Sequence, residues 1–86
     1  MNKKEKQNLL IKELGTAIKK RRKALQMSQE DLALLSETSI NFICQLEKGK
    51  NTVRLDKILD VMQSIGLEFN VTNGSSQISF KEDIEH

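Results

Sequence analysis

Two short helical patterns separated by three turn residues occupy residues 28–50, SQEDLALLSETSINFICQLEKGK, and no other stretch restricts the folding of the chain as tightly. Ser28 is a good N-cap, and Glu30 and Asp31 place negative charge where a helix N-terminus is positive. Leu32 and Ala33 then turn inward, with Ala33 small enough for a second helix to cross closely. Ser36, Glu37 and Thr38 make the turn, and Ser39 offers a second N-cap. The next helix, Ile40–Glu47, stops at Lys48 and Gly49, where glycine can take the left-handed backbone that ends helices. At about 100° per residue, Ile43 and Leu46 share an inward face, while Asn41, Cys44, Gln45 and Lys48 fall opposite.

That outward row holds two amides, a small thiol and a cation, the groups that base edges and phosphates require. The arrangement reads as a helix-turn-helix whose second helix is the recognition helix. QEDLA, the spacing to SINFI, and LEKGK resemble the lambda-repressor-like (XRE, Cro-type) DNA-binding family. The continuation TVRLDKILDVMQSIGLEF resembles the HipB-type antitoxin branch, and the whole resemblance covers residues 14–71. It implies that Arg22 pairs with Glu47, tying the first helix to the recognition helix, and that Gln29, opening the second helix, binds a phosphate. Lys48 and Lys50 are placed for the DNA backbone too, and Ser39, Ile40, Asn41, Cys44 and Gln45 for the bases. Asn41 and Gln45 can pair bidentately with adenine, and Ile40 can meet a thymine methyl. Phe42 is expected to pack against a neighbouring helix. Gln26 and Glu37 stand where the family favours glycine, so both are expected in backbone conformations that glycine takes more cheaply.

With 86 residues the chain has room for one small domain whose core alone is marginal, which favours oligomerisation. No apolar run nears the ~18 residues of a membrane span, and no signal-peptide pattern is present. The expectation is a cytoplasmic, nucleoid-associated protein with no membrane contact. The single cysteine, Cys44, fits a reducing compartment, and with the one histidine at His86 it has no metal or redox partner. No metal-ligand cluster, phosphate loop or nucleophile–histidine pair is present, so no enzyme activity, cofactor or small-molecule substrate is expected. The net charge of +2 is unevenly spread. Residues 1–30 carry nine Lys/Arg against three acids, net +6, and residues 55–86 carry two against six, net −4. A basic half points to an anionic partner, with solvated helix surface as the alternative.

Residues 1–8 have no apolar period and are expected as a disordered basic arm, and residues 81–86 as a disordered charged tail. Residues 9–66 form the DNA-binding domain. Its first helix is expected over residues 9–25, with Leu10, Leu14, Ala17, Ile18 and Leu25 at three- and four-residue steps. Of Leu34 and Leu35, at most one can face the core. Residues 51–54 form a linking turn, with Thr52 able to cap the next helix. There Leu55, Ile58, Leu59, Val61, Met62 and Ile65 fill an arc of roughly 160°. That is broader than one small core needs, which marks the Val61 and Ile65 edge as a dimer surface. After Gly66 the period changes to two: Leu67, Phe69 and Val71 alternate with polar residues, Asn73-Gly74 is a hairpin turn, and Ser76, Ile78 and Phe80 alternate again. A two-residue turn pairs Val71 with Ser76, Phe69 with Ile78 and Leu67 with Phe80, which puts every apolar residue on one face. Such a hairpin is marginal alone and leaves the outer edge of its first strand unpaired.

The expected fold is mostly α: a four- to five-helix lambda-repressor-like DNA-binding domain with a short C-terminal strand or hairpin, residues 67–80, used in dimerisation. Leu67, Phe69 and Val71 would join Val61 and Ile65 in that contact. The expected function is a homodimeric repressor on an inverted-repeat double-stranded DNA operator. The resemblance adds a HipA-like kinase toxin that the protein neutralises. A free-standing or phage-type repressor, and a helix-turn-helix module that binds protein and not DNA, stand as alternatives.

Overall fold

The computed structural model describes residues 2–50, 54–72 and 75–80. Four helices come first, α1 Lys3–Ala24, α2 Gln29–Ser36, α3 Ile40–Glu47 and α4 Leu55–Ser64, followed by β1 Leu67–Thr72 and β2 Ser75–Phe80. The mostly helical domain with a C-terminal hairpin is thus the observed architecture. The tail 81–86, the Asn73-Gly74 turn and Thr52 lie outside the described residues.

α1 starts earlier than its apolar period. The Asn2 side chain accepts the Glu5 N–H at 2.9 Å, and the Glu5 carboxylate accepts the Asn2 N–H at 2.9 Å. This reciprocal cap satisfies two N–H groups that a helix start otherwise leaves open. Residues 3–8 are therefore helical, and the expected disordered arm at 1–8 is corrected accordingly. α1 ends at Ala24, and Gln26 takes φ 60 just beyond it.

Ser28 and Asp31 cap α2 reciprocally, and the Ser39 hydroxyl accepts the Phe42 N–H at 3.0 Å to open α3. Between them Glu37 adopts φ 58, ψ 42, the left-handed conformation its glycine-like position implied. The Thr38 N–H reaches the Ala33 carbonyl at 2.9 Å. The buried Ser36 hydroxyl donates to the Leu32 carbonyl at 2.7 Å and shares a 3.0 Å hydrogen bond with the Thr38 hydroxyl. A turn this short holds its angle because its polar groups bond within it.

The core gathers Ile18 of α1, Leu32 and Ala33 of α2, Ile43 and Leu46 of α3, and Ile58, Val61 and Met62 of α4, with Ile65 and Leu67 closing it. Phe42 packs against this cluster from α3. α1 crosses the end of α3 so closely at Gly15 that a Cβ there would collide with the Leu46 carbonyl oxygen and stand 2.8 Å from that of Glu47.

α4 corrects one expectation. Val61 and Ile65 are 0% and 2% exposed, so they are core and not a dimer surface. The surplus of the arc falls on its other edge, where Leu55 and Leu59 are exposed. A helical wheel gives the width of an apolar arc; α2 and β1, packed on α4, decide where its centre lies. Leu34 and Leu35 are both exposed, one more than their spacing required.

β1 and β2 pair antiparallel with Leu67 opposite Phe80, Phe69 opposite Ile78, Val71 opposite Ser76 and Thr72 opposite Ser75, the register that the alternation dictated. The hairpin root is held by α1: the Arg21 Nε donates to the Ile65 carbonyl at 2.8 Å, one residue before Gly66 turns at φ 73.

Candidate nucleic-acid interface

α3 is buried along Ile43 and Leu46 and exposes the opposite half. Asn41 is exposed, Ile40 and Ser39 are exposed beside it, and Cys44 and Gln45 are half-buried on the same side. The five residues expected to read bases thus share one accessible face, with the Ser39 hydroxyl already committed to its cap.

The position of that face depends on a buried charged cluster. Arg22, 7% exposed, donates from Nε to Glu47 Oε2 at 2.6 Å and from Nη2 to Oε1 at 3.0 Å. Its Nη1 donates to the Met27 carbonyl at 2.7 Å. Hydrogen bonding to Glu47 raises the Arg22 guanidinium further above its ordinary pKa, against the opposing effect of burial. The bidentate geometry fixes direction as well as distance, so α1 sets the end of α3. Among the described residues no buried side-chain polar atom lacks a partner.

Gln29 is drawn into the same cluster. Its Nε2 donates to Glu47 Oε1 at 3.1 Å, a bond that sequence reasoning did not foresee. An amide nitrogen has two N–H donors, so one is left to meet a phosphate. The N-terminus of α2 already holds its own anion: the Ser28 backbone N–H, and then its hydroxyl, keep the Asp31 carboxyl below the usual carboxylate range. The positive end of the α2 dipole is therefore already partly neutralised by the chain's own carboxylate. Lys48 and Lys50 are exposed just past α3. The turn there bonds internally, Lys48 N–H to the Cys44 carbonyl, Gly49 N–H to that of Leu46 and Lys50 N–H to that of Gln45, each at 3.1 Å.

Leu67, expected at a dimer contact, is 5% exposed and packs inside the protomer, while Phe69 and Val71 follow it along β1. Two contacts had no clear sequence signal: the approach of Gly15 to α3, and the grip of Arg21 on the Ile65 carbonyl. A glycine inside an apolar helical pattern was the available clue to the first.

Two short helices joined by a left-handed turn, the second presenting amides beside flanking lysines, define a helix-turn-helix domain of the kind that binds DNA. The profile of the helix-turn-helix family matches residues 18–71, and the chain belongs to that family, whose lambda-repressor-like type its helices follow. It is 30% identical over 59 residues, 69% of this chain and 78% of the relative, to an uncharacterized HTH-type transcriptional regulator, y4mF, of Sinorhizobium fredii (strain NBRC 101917 / NGR234). DNA binding of the transcriptional-regulator type is therefore its function. Among the described residues, no helix is long and apolar enough to cross a membrane.

Proposed function

We propose that the protein is a homodimeric repressor that reads an inverted-repeat operator through Ser39, Ile40, Asn41, Cys44 and Gln45, and that it is the HipB-like antitoxin of a HipA-like kinase toxin. The observation that carries the operator reading is the accessible polar face of α3, fixed to α1 by the Arg22–Glu47 pair. Gln29, Lys48 and Lys50 set the register on the backbone, and Asn41 and Gln45 supply base discrimination. Dimerisation is supported by the hairpin: among the described residues the sheet has two strands, so the outer edge of β1 has no neighbouring strand in the protomer. A second copy added antiparallel along Leu67–Thr72 covers that edge and gives the isologous symmetry an inverted repeat requires. Leu67 stays in the core of each protomer, and association runs through the strand backbone. The toxin partner rests on the resemblance of TVRLDKILDVMQSIGLEF to the antitoxin branch.

Asn41→Ala and Gln45→Ala should each lower operator affinity by roughly 1–3 kcal/mol and barely change binding to random DNA. Gln29→Ala and Lys50→Ala should weaken binding to every duplex. Similar behaviour of the two groups would refute this assignment of the reading face. Truncation after Gly66 should yield monomers by sedimentation, and a truncated protein that stays dimeric at micromolar concentration defeats the hairpin interface. Co-purification from the native host should bring down a kinase; its absence favours the free-standing repressor.

A further inference from the structure

We propose that Lys12 of α1 is a third backbone cation, which grips a phosphate of its own beside those met by Lys48 and Lys50, flanking the site read by α3. The assignment rests on the DNA-binding reading and extends it to a helix that carries no base-reading residue.

The carrying observation is the packing of α1 against the turn that ends α3. One turn before Gly15, the Lys12 side chain runs beneath Gly49: from the position a Gly49 Cβ would occupy, the Lys12 Cγ is 3.0 Å away, its Cα 3.2 Å and its Cβ 3.6 Å. Gly49 turns at φ 77, between Lys48 and Lys50. Three single bonds, about 4 Å, carry the ammonium on from Cγ, so the Lys12 side chain lies against the turn from which those of Lys48 and Lys50 start. All three residues are exposed, and none has an acidic partner among the described residues. The adjacent acid, Glu47, is committed to Arg22 and Gln29. Nor are the lysines needed to cap the Cys44, Gln45 and Leu46 carbonyls near the end of α3, which the backbone N–H groups of Lys48, Lys50 and Gly49 already satisfy.

Three exposed lysines around one turn, none with an acidic partner among the described residues, raise the local potential, and backbone phosphates relieve it. Lys12 is also pre-positioned. α1 continues nine residues further to its capped start at Lys3, so Lys12 sits inside a formed helix and not at a frayed end. Little order remains to be imposed on it by DNA.

The test uses the full chain and a fluorescein-labelled duplex enriched from random DNA by the wild-type protein. Dissociation constants are measured between about 50 and 200 mM KCl, where each phosphate contact contributes a slope of ~0.9 in log Kd against log salt. Lys12→Gln should flatten the slope by ~0.9, so that its affinity falls ~3.5-fold less than wild type across that range. Lys12→Arg should keep the wild-type slope. An unchanged slope for Lys12→Gln overturns the assignment. A second measurement excludes a mere loosening of α1: a neutral methylphosphonate is placed in turn at each flanking position. One position should weaken the wild type and leave Lys12→Gln unaffected, and finding none also overturns the assignment. A wild-type protein that enriches no duplex defeats the DNA-binding reading itself, which separates that failure from a failure of Lys12.

Discussion

Replacing Arg22 with methionine keeps the unbranched stem of the side chain and removes three hydrogen bonds, two to Glu47 and one to the Met27 carbonyl. The Glu47 side chain is 3% exposed, so its carboxylate is left buried without its cation. Breaking a buried pair from one side costs about 3–5 kcal/mol. Gln29 remains 3.1 Å from Glu47 Oε1 and recovers part of this, while the deserted Met27 carbonyl adds ~1 kcal/mol. A loss near 4 kcal/mol is expected, on the order of 15–30 °C in Tm for a domain of this size. Arg22→Met combined with Glu47→Met leaves no buried charge and should lose far less than the single change, at most ~2 kcal/mol. Urea unfolding followed by circular dichroism, with the slope m unchanged, measures both. A single variant that loses under ~1 kcal/mol would show the pair to be worth no more than an exposed one. A double variant as unstable as the sum of the singles would refute the coupling.

Three further outcomes follow from particular residues. Glu37→Gly relieves a left-handed residue, worth ~1–2 kcal/mol, against ~0.5–1 kcal/mol of added chain entropy, so Tm should rise by a few degrees. Gly15→Ala gains ~1 kcal/mol of helix propensity but forces a methyl against the Leu46 and Glu47 carbonyls, an overpacking of about 1–3 kcal/mol; stability and operator affinity should fall together, and a stabilised variant would show that α3 yields freely. The depressed pKa of Asp31 makes its cap fully stabilising above the unfolded carboxylate pKa of ~3.9 and lost as pH falls through the folded value; Asp31→Asn should therefore melt below wild type at pH 7, with the two curves converging in acid.

The two central helices were legible because their determinants are local. Ser28 and Ser39 cap, Glu37 turns, and Ile43 and Leu46 repeat at helical spacing, so residues near in sequence settle the matter. The strand register was legible for the same reason, since alternation of period two admits one alignment about a two-residue turn. The start of α1 was misread because apolar period was weighed above capping: residues 2–5, Asn-x-x-Glu, bear the cap in a stretch with no apolar stripe. Val61 and Ile65 were misplaced for a different reason. Which edge of α4 is covered depends on where α2 and β1 arrive, and that information is tertiary. In the candidate interface, the residues of α3 followed from the helical wheel, whereas the bond from Gln29 to Glu47 required two helix ends to meet.

Arg21 and Arg22 are neighbours in sequence, yet one grips the carbonyl of Ile65 at the hairpin root and the other the last residue of α3. About 100° of rotation about the axis of α1 separates them. That single step of helix acts as a bracket joining the root of the sheet to the end of α3. The Ile65 carbonyl and the Glu47 carboxylate are thus held by two adjacent guanidinium groups. Overwinding α1 at this point would displace both attachments together, so the orientation of α3 is stored in the pitch of a different helix.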